Sequence, residues 1–441
     1  MGISKSLSQN FPGDLRSEDR PQRGRYAMRV LLTSLTLIGL LPIAQVATAE
    51  DLAAHPAQKQ RRIVYNNDGS SIFFNFQTPA PGKTAATTGL TAAKVRGWVD
   101  EVSGTQVDTY MICPNMCMRL AYPSKVVRML GAGEEITEEN GYDENKTVCA
   151  KNIVALVEQG HDPIGLVIGR AKEKGMEIFV TYRMNEAHKT HIPESAFNSK
   201  FWRDHPEWRV GTGTYHQAAL NYAVPEVRQH MLARLQEICD RYGDRLDGVE
   251  LDWLRFPVYF KIIGGGPWPY HEVDLKNIPV MTQFMRDARA ITNECGQKRG
   301  RPLLLAVRVP PTLALSRFMC LDPVTWAKEE LIDFLTLSHF LFDGPREPDE
   351  LDISAYRAGI PELPIYGAIQ HGSGKQQHTP DDYRRIAPDL PRLIAPGGMA
   401  AIEIGHRQGD SVGALLVAQG LNVAIRRDLA GLDRCVIATR T

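Results

Sequence analysis

The 441-residue sequence lacks an excess of charge of either sign and lacks the signatures of several common chemistries. Lysine plus arginine and aspartate plus glutamate number 51 each, and no block of basic residues stands out. A polyanionic partner such as nucleic acid is therefore not indicated. A phosphate-binding P-loop and the G-x-S-x-G turn are both missing. Nucleotide-driven and serine-hydrolase chemistry therefore have no support from motifs.

Cysteine is scarce as well. Seven cysteines are too few for a disulfide scaffold in a chain of this length. Cys113, Cys117 and Cys149 fall in one segment and could include a bridge after export. Cys239 and Cys295 sit on helical patterns and are expected to be small core residues. The Cys113 and Cys117 spacing lacks a second pair of ligands, so a zinc site is not predicted.

Long apolar runs are missing except for one near the N-terminus, at residues 30–44. Arginines precede it at positions 20, 23, 25 and 29, and an A-x-A pattern follows at residues 47–49. These features predict a cleavable signal segment over residues 1–49, with Met28 as a plausible start, and export to the periplasm or medium. An uncleaved membrane anchor is the alternative, although the run is shorter than the ~20 residues that a span needs. Residues 50–61 resemble a linker, and residues 62–441 are predicted to form one catalytic domain.

Short apolar segments alternate with helical patterns from Arg62 onwards. The predicted strands are residues 63–67, 109–113, 177–182, 248–253, 303–309, 334–339, 364–369 and 399–404. The helical patterns are residues 92–102, 164–175, 225–242, 279–294, 322–331, 350–358, 380–388 and 411–425. Eight strand-plus-helix units predict an α/β fold, the (β/α)8 TIM barrel, with long βα loops. A doubly wound open sheet is the alternative, but residues 66–71 lack its glycine fingerprint.

The fourth predicted strand carries acids where apolar residues are expected. Side chains alternate along a strand, so Glu250 and Asp252 share one face, opposite Val249, Leu251 and Trp253. Adjacent carboxylates repel each other, and burial disfavours their charged forms. Such a pair is typical of a catalytic or cation-binding site. A structural ion pair with a nearby arginine is the alternative.

Polar residues also follow the other predicted strands, where the chemistry of a barrel is located. Asp68 follows the first strand and Arg308 ends the fifth. The remaining candidates for substrate binding are Arg183, Asn185, Glu186, His188, Arg255, His339, Asp343 and His371. Glu403 lies on the eighth predicted strand. After the fourth strand comes a loop whose aromatic residues either stack on sugar rings or pack the loop onto the barrel: Phe256, Tyr259, Phe260, Trp268 and Tyr270.

Two sequence runs resemble a known family. L-N-Y-A-V-P-E-V-R at residues 220–228 precedes an amphipathic helix and then D-G-V-E-L-D at residues 247–252. This order resembles the glycosyl-hydrolase-like family 10 barrels, which are bacterial and often exported. Glu250 stands where the family has His, and Trp253 stands where it has a second Asp. The strand is also similar to the chitinase-type strand, with Leu254 in place of the catalytic Glu.

The resemblance implies a barrel, a carbohydrate substrate and a role for Asp252. We therefore predict hydrolysis of a glycosidic bond in a poly- or oligosaccharide, without a metal or another cofactor. Asp252 is the first carboxylate, and its partner is Glu250, Glu403 or Asp343. One alternative is a carbohydrate-binding barrel that has lost hydrolytic activity. A metal-dependent deacetylase or amidohydrolase, built on His339, His371 and an acid, is a further alternative. The sequence does not indicate an oligomeric state.

Overall fold

The computed structural model describes residues 56–75, 77–80, 83–213, 215–264, 272–339, 351–368, 387, 390–394, 399–403, 407–427 and 433–440. The chain divides into two compact units, Met1–Thr48 and Ala49–Thr441, and the described residues belong to the second. The predicted signal segment therefore lies outside the described residues. No helix within the described ranges combines the length and the apolar composition needed to cross a membrane.

Seven parallel strands form the main sheet, and their spatial order follows the chain. They are β1 (Ile63–Asn67), β2 (Val107–Ile112), β3 (Glu177–Arg183), β4 (Gly248–Asp252), β5 (Leu304–Val309), β6 (Phe334–Leu337) and β7 (Ile365–Gly367). Each matches one of the first seven predicted strands to within about two residues at either end. All seven residues of β3 are buried, as expected of a parallel strand that is covered on both faces.

Helices connect the strands. They are α1 (Ser70–Phe74), α2 (Ala92–Asp100), α3 (Glu144–Glu158), α4 (Pro163–Glu173), α5 (Lys200–Asp204), α6 (Pro225–Tyr242), α7 (Ile278–Arg299), α8 (Leu313–Phe318), α9 (Pro323–Lys328) and α10 (Ile353–Gly359). Local signals set several of their ends. Asp143 caps α3 through the Lys146 amide, and Pro225 occupies the first turn of α6. Gly300, with φ at 71°, ends α7 in the left-handed region.

The sheet curls so that its two edges approach each other. The Tyr366 hydroxyl on β7 donates to the Lys59 carbonyl and accepts from the Arg61 amide, each at 3.4 Å, just before β1 begins. Within the described residues β7 and β1 are not paired with each other. The fold is therefore a curled parallel sheet, or half-barrel, and the closed eight-stranded barrel predicted from the sequence is not confirmed.

The predicted eighth strand exists but does not join this sheet. Met399–Glu403, or β8, pairs antiparallel with β10 (Asp433–Thr439), which also pairs antiparallel with β9 (Asn422–Arg427). A short helix, Gly409–Val417, packs on this sheet, and Ile402, Val412, Leu416 and Val436 share a small core with it. The prediction of one helix over residues 411–425 was wrong because Gly420, at φ 78°, ends the helix before β9.

A layer of apolar and charged groups fills the N-terminal end of the curled sheet. Arg61 donates to both carboxylate oxygens of Glu177, at 2.7 and 2.9 Å, and Thr109 donates to the same carboxylate at 2.7 Å. Above them the rings of Phe179 and Phe334 meet edge to face, with centroids 5.5 Å apart. Gly248 makes room for this layer, because a Cβ there would lie 2.1 Å from the Phe179 ring.

Candidate active site

The two carboxylates on β4 point into the curled sheet, as the alternation of the strand predicts. Glu250 reaches side chains on β1, β3 and β6, which is possible only across the interior of the sheet. On the opposite face Val249, Leu251 and Trp253 are buried in the core between sheet and helices. One strand thus supplies apolar groups to the core and two acids to the interior.

Glu250 is buried among neutral hydrogen-bond donors. It is 1% exposed. Its carboxylate accepts from Thr181 Oγ1 at 2.7 Å, from Asn66 Nδ2 at 3.0 Å and from Thr336 Oγ1 at 3.4 Å. Burial, reinforced by the negative charge of Asp252, raises the pKa of Glu250 to about 7. A substantial fraction of Glu250 is therefore protonated at neutral pH.

Asp252 lies one interior layer closer to the loops, at the last position of β4. Arg308 on β5 donates to its Oδ2 at 3.3 Å and also donates to the Ser338 hydroxyl at 2.9 Å. The Leu254 amide donates to the other carboxylate oxygen at 2.9 Å. Asp252 is 4% exposed. The ion pair with an arginine, which was the structural alternative, thus exists for Asp252, whereas the hydrogen bonds of Glu250 come from Thr181, Asn66 and Thr336.

Arg183 connects the ends of β1 and β3 at the rim of the curled sheet, which is the edge formed by the carboxyl ends of its strands. It donates to Asp68 Oδ2 and to Glu186 Oε2, each at 3.3 Å. Burial opposes its charge, but the surrounding acids raise the pKa of Arg183 above its ordinary value. Burial likewise opposes ionisation of Asp68, yet the guanidinium of Arg183 holds the pKa of that carboxyl below its usual range. Asp68 is solvent-exposed on its loop side, so this ion pair faces the mouth of the sheet.

His188 connects Glu186 to Arg255. Its Nδ1 contacts Glu186 Oε1, and its Nε2 lies 3.1 Å from a guanidinium nitrogen of Arg255. Because a guanidinium can only donate, Nε2 accepts and Nδ1 carries the proton toward Glu186. Burial alone would raise the pKa of Glu186, but His188 and the two arginines hold it well below its usual range. The Phe256 ring supports His188 edge-on, with centroids 4.6 Å apart.

One group of side chains at this rim has the donor types of a metal site. The ligand atoms of Cys117, Glu186 and His188 all lie within 4.8 Å of one another. Zinc takes these three donors. Arg183 and Arg255, however, contact the same carboxylate and imidazole, so a cation here would face two positive charges. The electrostatics disfavour a metal at this position, and a metal-free mechanism stays a prediction.

The other predicted site residues either have different surroundings or lie outside the described residues. The side-chain amide of Asn185 donates to the Leu220 and Val258 carbonyls at 2.9 and 2.8 Å, so Asn185 fixes loops and does not face a ligand. His339 follows β6 and is half-buried. Asp343 and His371 lie outside the described residues. Glu403 lies on β8, in the separate antiparallel sheet and not on a strand of the curled sheet.

Of the five aromatic residues predicted in the loop after β4, three lie within the described residues. Phe256, Tyr259 and Phe260 are each at most 1% exposed. The Tyr259 hydroxyl donates to the Trp253 carbonyl at 2.6 Å. These three residues therefore pack the loop onto the sheet, as one of the two interpretations predicted. Trp268 and Tyr270 lie outside the described residues.

The sequence analysis missed the neutral groups around Glu250. Thr181, Thr336 and Asn66 were not among the predicted site residues, although each lies on the interior face of its strand. A hydroxyl or amide one or two residues before the end of a parallel strand is the signal that could have identified them. Ser338, which holds Arg308, belongs to the same group.

Comparison with known sequences assigns this region to a family. Residues 144–265 match the model of the family Glycosyl hydrolase-like 10. The match confirms the resemblance inferred from the two sequence runs. It extends from α3 to the loop after β4 and includes Arg183, Glu186, Glu250 and Asp252. The family description speaks of a hydrolase-like protein, which leaves activity itself to be tested.

Other similarities are weaker or shorter. A cycloisomaltooligosaccharide glucanotransferase from Paenibacillus sp. is 10% identical, with a TM-score of 0.38, over 70% of this chain and 39% of that chain. A chitinase from Bacillus thuringiensis is 12% identical, with a TM-score of 0.35, over 85% and 53% of the two chains. At such TM-scores neither likeness carries a functional argument.

A short stretch also matches curated enzymes. Release factor glutamine methyltransferase of Rhodospirillum rubrum is 43% identical over 61 residues, which are 14% of this chain and 19% of that protein. The corresponding enzyme of Caulobacter vibrioides is 41% identical over 59 residues, 13% of this chain and 20% of that protein. The chain thus spans about a fifth of the length of these relatives. A fifth of an enzyme does not define an activity for the whole chain.

Proposed function

We propose that the protein hydrolyses a glycosidic bond in a poly- or oligosaccharide, with Asp252 and Glu250 as its carboxyl pair. The observation that carries the proposal is this pair itself. Two acids lie on the interior face of one strand, at the end of the sheet where barrels perform chemistry, within the segment that matches a glycosyl hydrolase-like family. Most glycosidases work with two carboxyl groups in different protonation states.

The two environments favour different roles. Asp252 lies nearer the loops and forms an ion pair with Arg308, which suits a nucleophile, base or electrostatic stabiliser. Glu250 has neutral hydrogen-bond partners and a pKa of about 7, which suits a proton donor. Different surroundings for two neighbouring carboxyl groups are a general mark of acid and base assignments.

The rim supplies groups for binding the substrate. Asp68, Arg183, Arg255 and Arg308 place carboxylate and guanidinium groups around the mouth of the sheet. Sugar hydroxyls can donate to the first and accept from the others. We further propose that the substrate is met after export, because the N-terminal pattern predicts a cleavable signal segment.

A carbohydrate-binding barrel without activity is the second candidate, and a specific observation favours it. Trp253 stands in place of the second Asp of the family and is fully buried, facing away from the interior. Leu254, in place of the chitinase-type Glu, is 2% exposed. Neither position can supply a further acid, so hydrolysis depends on Glu250 and Asp252 alone among the residues of β4.

The experiment that separates the two candidates measures reducing-sugar release across neutral, uronic and sulfated polysaccharides. Wild type and Asp252→Asn are compared, together with saccharide binding by each. Asp287→Asn is the matched control, because Asp287 is exposed on α7 and accepts only from Gln283 among the contacts of the described residues. Release by wild type and by the control, but not by Asp252→Asn, supports the proposal.

Two other outcomes have a clear meaning. Binding without release by wild type on every polysaccharide supports the inactive barrel. Release that is unchanged in Asp252→Asn removes Asp252 from the mechanism. Circular dichroism and thermal unfolding of each variant check that the fold is retained.

A further inference from the structure

Two cysteines on neighbouring outer helices lie side by side. Cys239 is in the last turn of α6, and Cys295 is in the last two turns of α7. The Cys295 thiol donates to the Cys239 carbonyl at 3.9 Å, which brings the two cysteines next to each other. Gly243 provides the space, because a Cβ at that position would lie 2.4 Å from the Cys295 sulfur.

The cysteines that the sequence suggested as a bridge are unbridged, like Cys239 and Cys295. Cys113, Cys117 and Cys149 are free thiols. Cys113 and Cys149 are buried, and burial raises the pKa of Cys113 to about 11 and that of Cys149 well above its ordinary value. Thiols in such surroundings form little thiolate and react slowly.

Cys295 has the properties of an attacking thiol. Its side chain is partly exposed, whereas Cys239 is 5% exposed. The neighbouring Cys239 thiol, whose effect outweighs that of burial, lowers the pKa of Cys295 to about 7. A thiol with a pKa close to the ambient pH is near the optimum for thiol–disulfide exchange.

We propose that Cys239 and Cys295 are a redox pair that closes into a disulfide joining α6 to α7. The oxidant is a disulfide of the surroundings, either of a small molecule or of a thiol oxidoreductase. The Cys295 thiolate attacks one sulfur of that disulfide and displaces the other as a thiolate. Cys239 then loses its proton to solvent and attacks the Cys295 sulfur, which releases the second thiolate. Two protein thiols are oxidised, and the oxidant is reduced to two thiols.

The position of the bond gives it a consequence for the site. Residues 239 and 295 enclose β4, with Glu250 and Asp252, together with the loop that follows it. A disulfide between the flanking helices restricts the unfolded chain over this loop. We expect the oxidised protein to unfold at a temperature several degrees higher than the reduced protein, and β4 to be protected from hydrogen exchange to a greater extent.

The test uses the full chain, reduced with dithiothreitol, freed of reductant and incubated with oxidised glutathione. Peptide mapping by mass spectrometry should find residues 239 and 295 in one linked peptide that has lost two hydrogens. Cys239→Ser should stop at a glutathione adduct on Cys295, and Cys295→Ser should give no linked peptide and no adduct at Cys239. Cys149→Ser is the matched control and should form the bond like wild type.

The proposal is overturned if wild type carries glutathione on Cys295 while Cys239 remains a free thiol, or if both thiols remain unmodified. Mapping of wild type alone decides between these results, so the proposal stays testable even if a serine variant does not fold. The readout is chemical and does not depend on glycosidase activity.

Discussion

Glu177 and Glu250 both lie inside the curled sheet, on neighbouring strands, but toward opposite ends of it. Glu177 begins β3 and accepts two bonds from the Arg61 guanidinium and a third from Thr109. Glu250 lies in the middle of β4 and, within the described part of the chain, accepts hydrogen bonds from neutral hydroxyl and amide groups. Burial, together with the like charge of Asp252, raises the pKa of Glu250 to about 7.

The difference shows how one curled sheet can separate groups that suit stability from groups that suit chemistry. A buried carboxylate and its guanidinium partner depend on each other, because removing either one leaves an uncompensated charge. A buried carboxylate with neutral partners exchanges its proton near neutral pH and destabilises the fold once it ionises. The first arrangement suits the N-terminal end of the strands, and the second suits the carboxyl end, where barrels carry their chemistry.

The largest expected effect is the loss of catalysis when Glu250 is replaced. Glu250→Gln keeps the shape of the side chain but removes its proton donor function. We expect sugar release to fall about 10³-fold, within the range for loss of general acid catalysis, while the unfolding transition is retained. Initial rates per folded molecule measure this. An unchanged rate would show that Glu250 is as structural as Glu177.

For Glu177 we expect the opposite result, which is a loss of stability with little change in activity. Glu177→Gln leaves Arg61 buried beside a neutral amide, so the free energy of unfolding should fall by about 3–5 kcal/mol. The activity per folded molecule should stay close to that of wild type. Urea unfolding measures the loss, and Glu158→Gln, at an exposed position on α3, is the control. A loss below about 1 kcal/mol would fall within the range of surface ion pairs and contradict the comparison.

Glu250 should also make the stability of the protein depend on pH. The pKa of Glu250 rises from an ordinary value of 4.5 to about 7 on folding, so between these pH values the folded state holds more protons than the unfolded state. Stability from this group is therefore complete below pH 4.5 and is lost as the pH rises through about 7. The loss amounts to about 3 kcal/mol.

Glu250→Gln should flatten this part of the profile, because glutamine does not ionise. Urea unfolding of wild type and variant at pH 5 and pH 8 measures the difference. Parallel profiles for the two proteins would show that Glu250 titrates near its ordinary value in the folded state.

The smallest effect concerns the threonines that hold Glu250. Thr181→Val removes a 2.7 Å hydrogen bond to the ionised carboxylate and keeps the branched shape of the side chain. The pKa of Glu250 should rise further, by about one unit, which would move the alkaline limb of the pH–rate profile upward. Thr336→Val removes a 3.4 Å contact and should shift the limb less. Equal shifts, or a downward shift, would contradict the assigned hydrogen bonds.

Much of the curled sheet could be predicted because its strands are short apolar segments between helical patterns. The period of the side chains also predicted that Glu250 and Asp252 share the interior face. What could not be predicted was the partner of each acid. Arg61 and Glu177 are 116 residues apart in the chain, and Asn66 and Glu250 are 184 apart. Such contacts depend on which strands meet across the interior.

The eighth strand illustrates the same limit. Met399–Glu403 is apolar enough to be a strand, and the sequence predicted it correctly as one. Its pairing with β10 depended on two later strands: β9, which the predicted helix over residues 411–425 overlapped, and β10, for which no element was predicted. Glu403 was therefore predicted as a residue of the barrel mouth on the basis of strand count alone.

The sequence by itself determined the alternation of strands and helices, the acids on β4 and the family resemblance of the segment around them. These features depend on the type and spacing of residues that are close together in the chain, so the sequence alone indicates them. Only the tertiary structure decided that Glu177 is neutralised, that Glu250 is not, and that Cys239 meets Cys295. These facts depend on distances between residues far apart in the chain, and a protonation state follows from the groups that surround it in space.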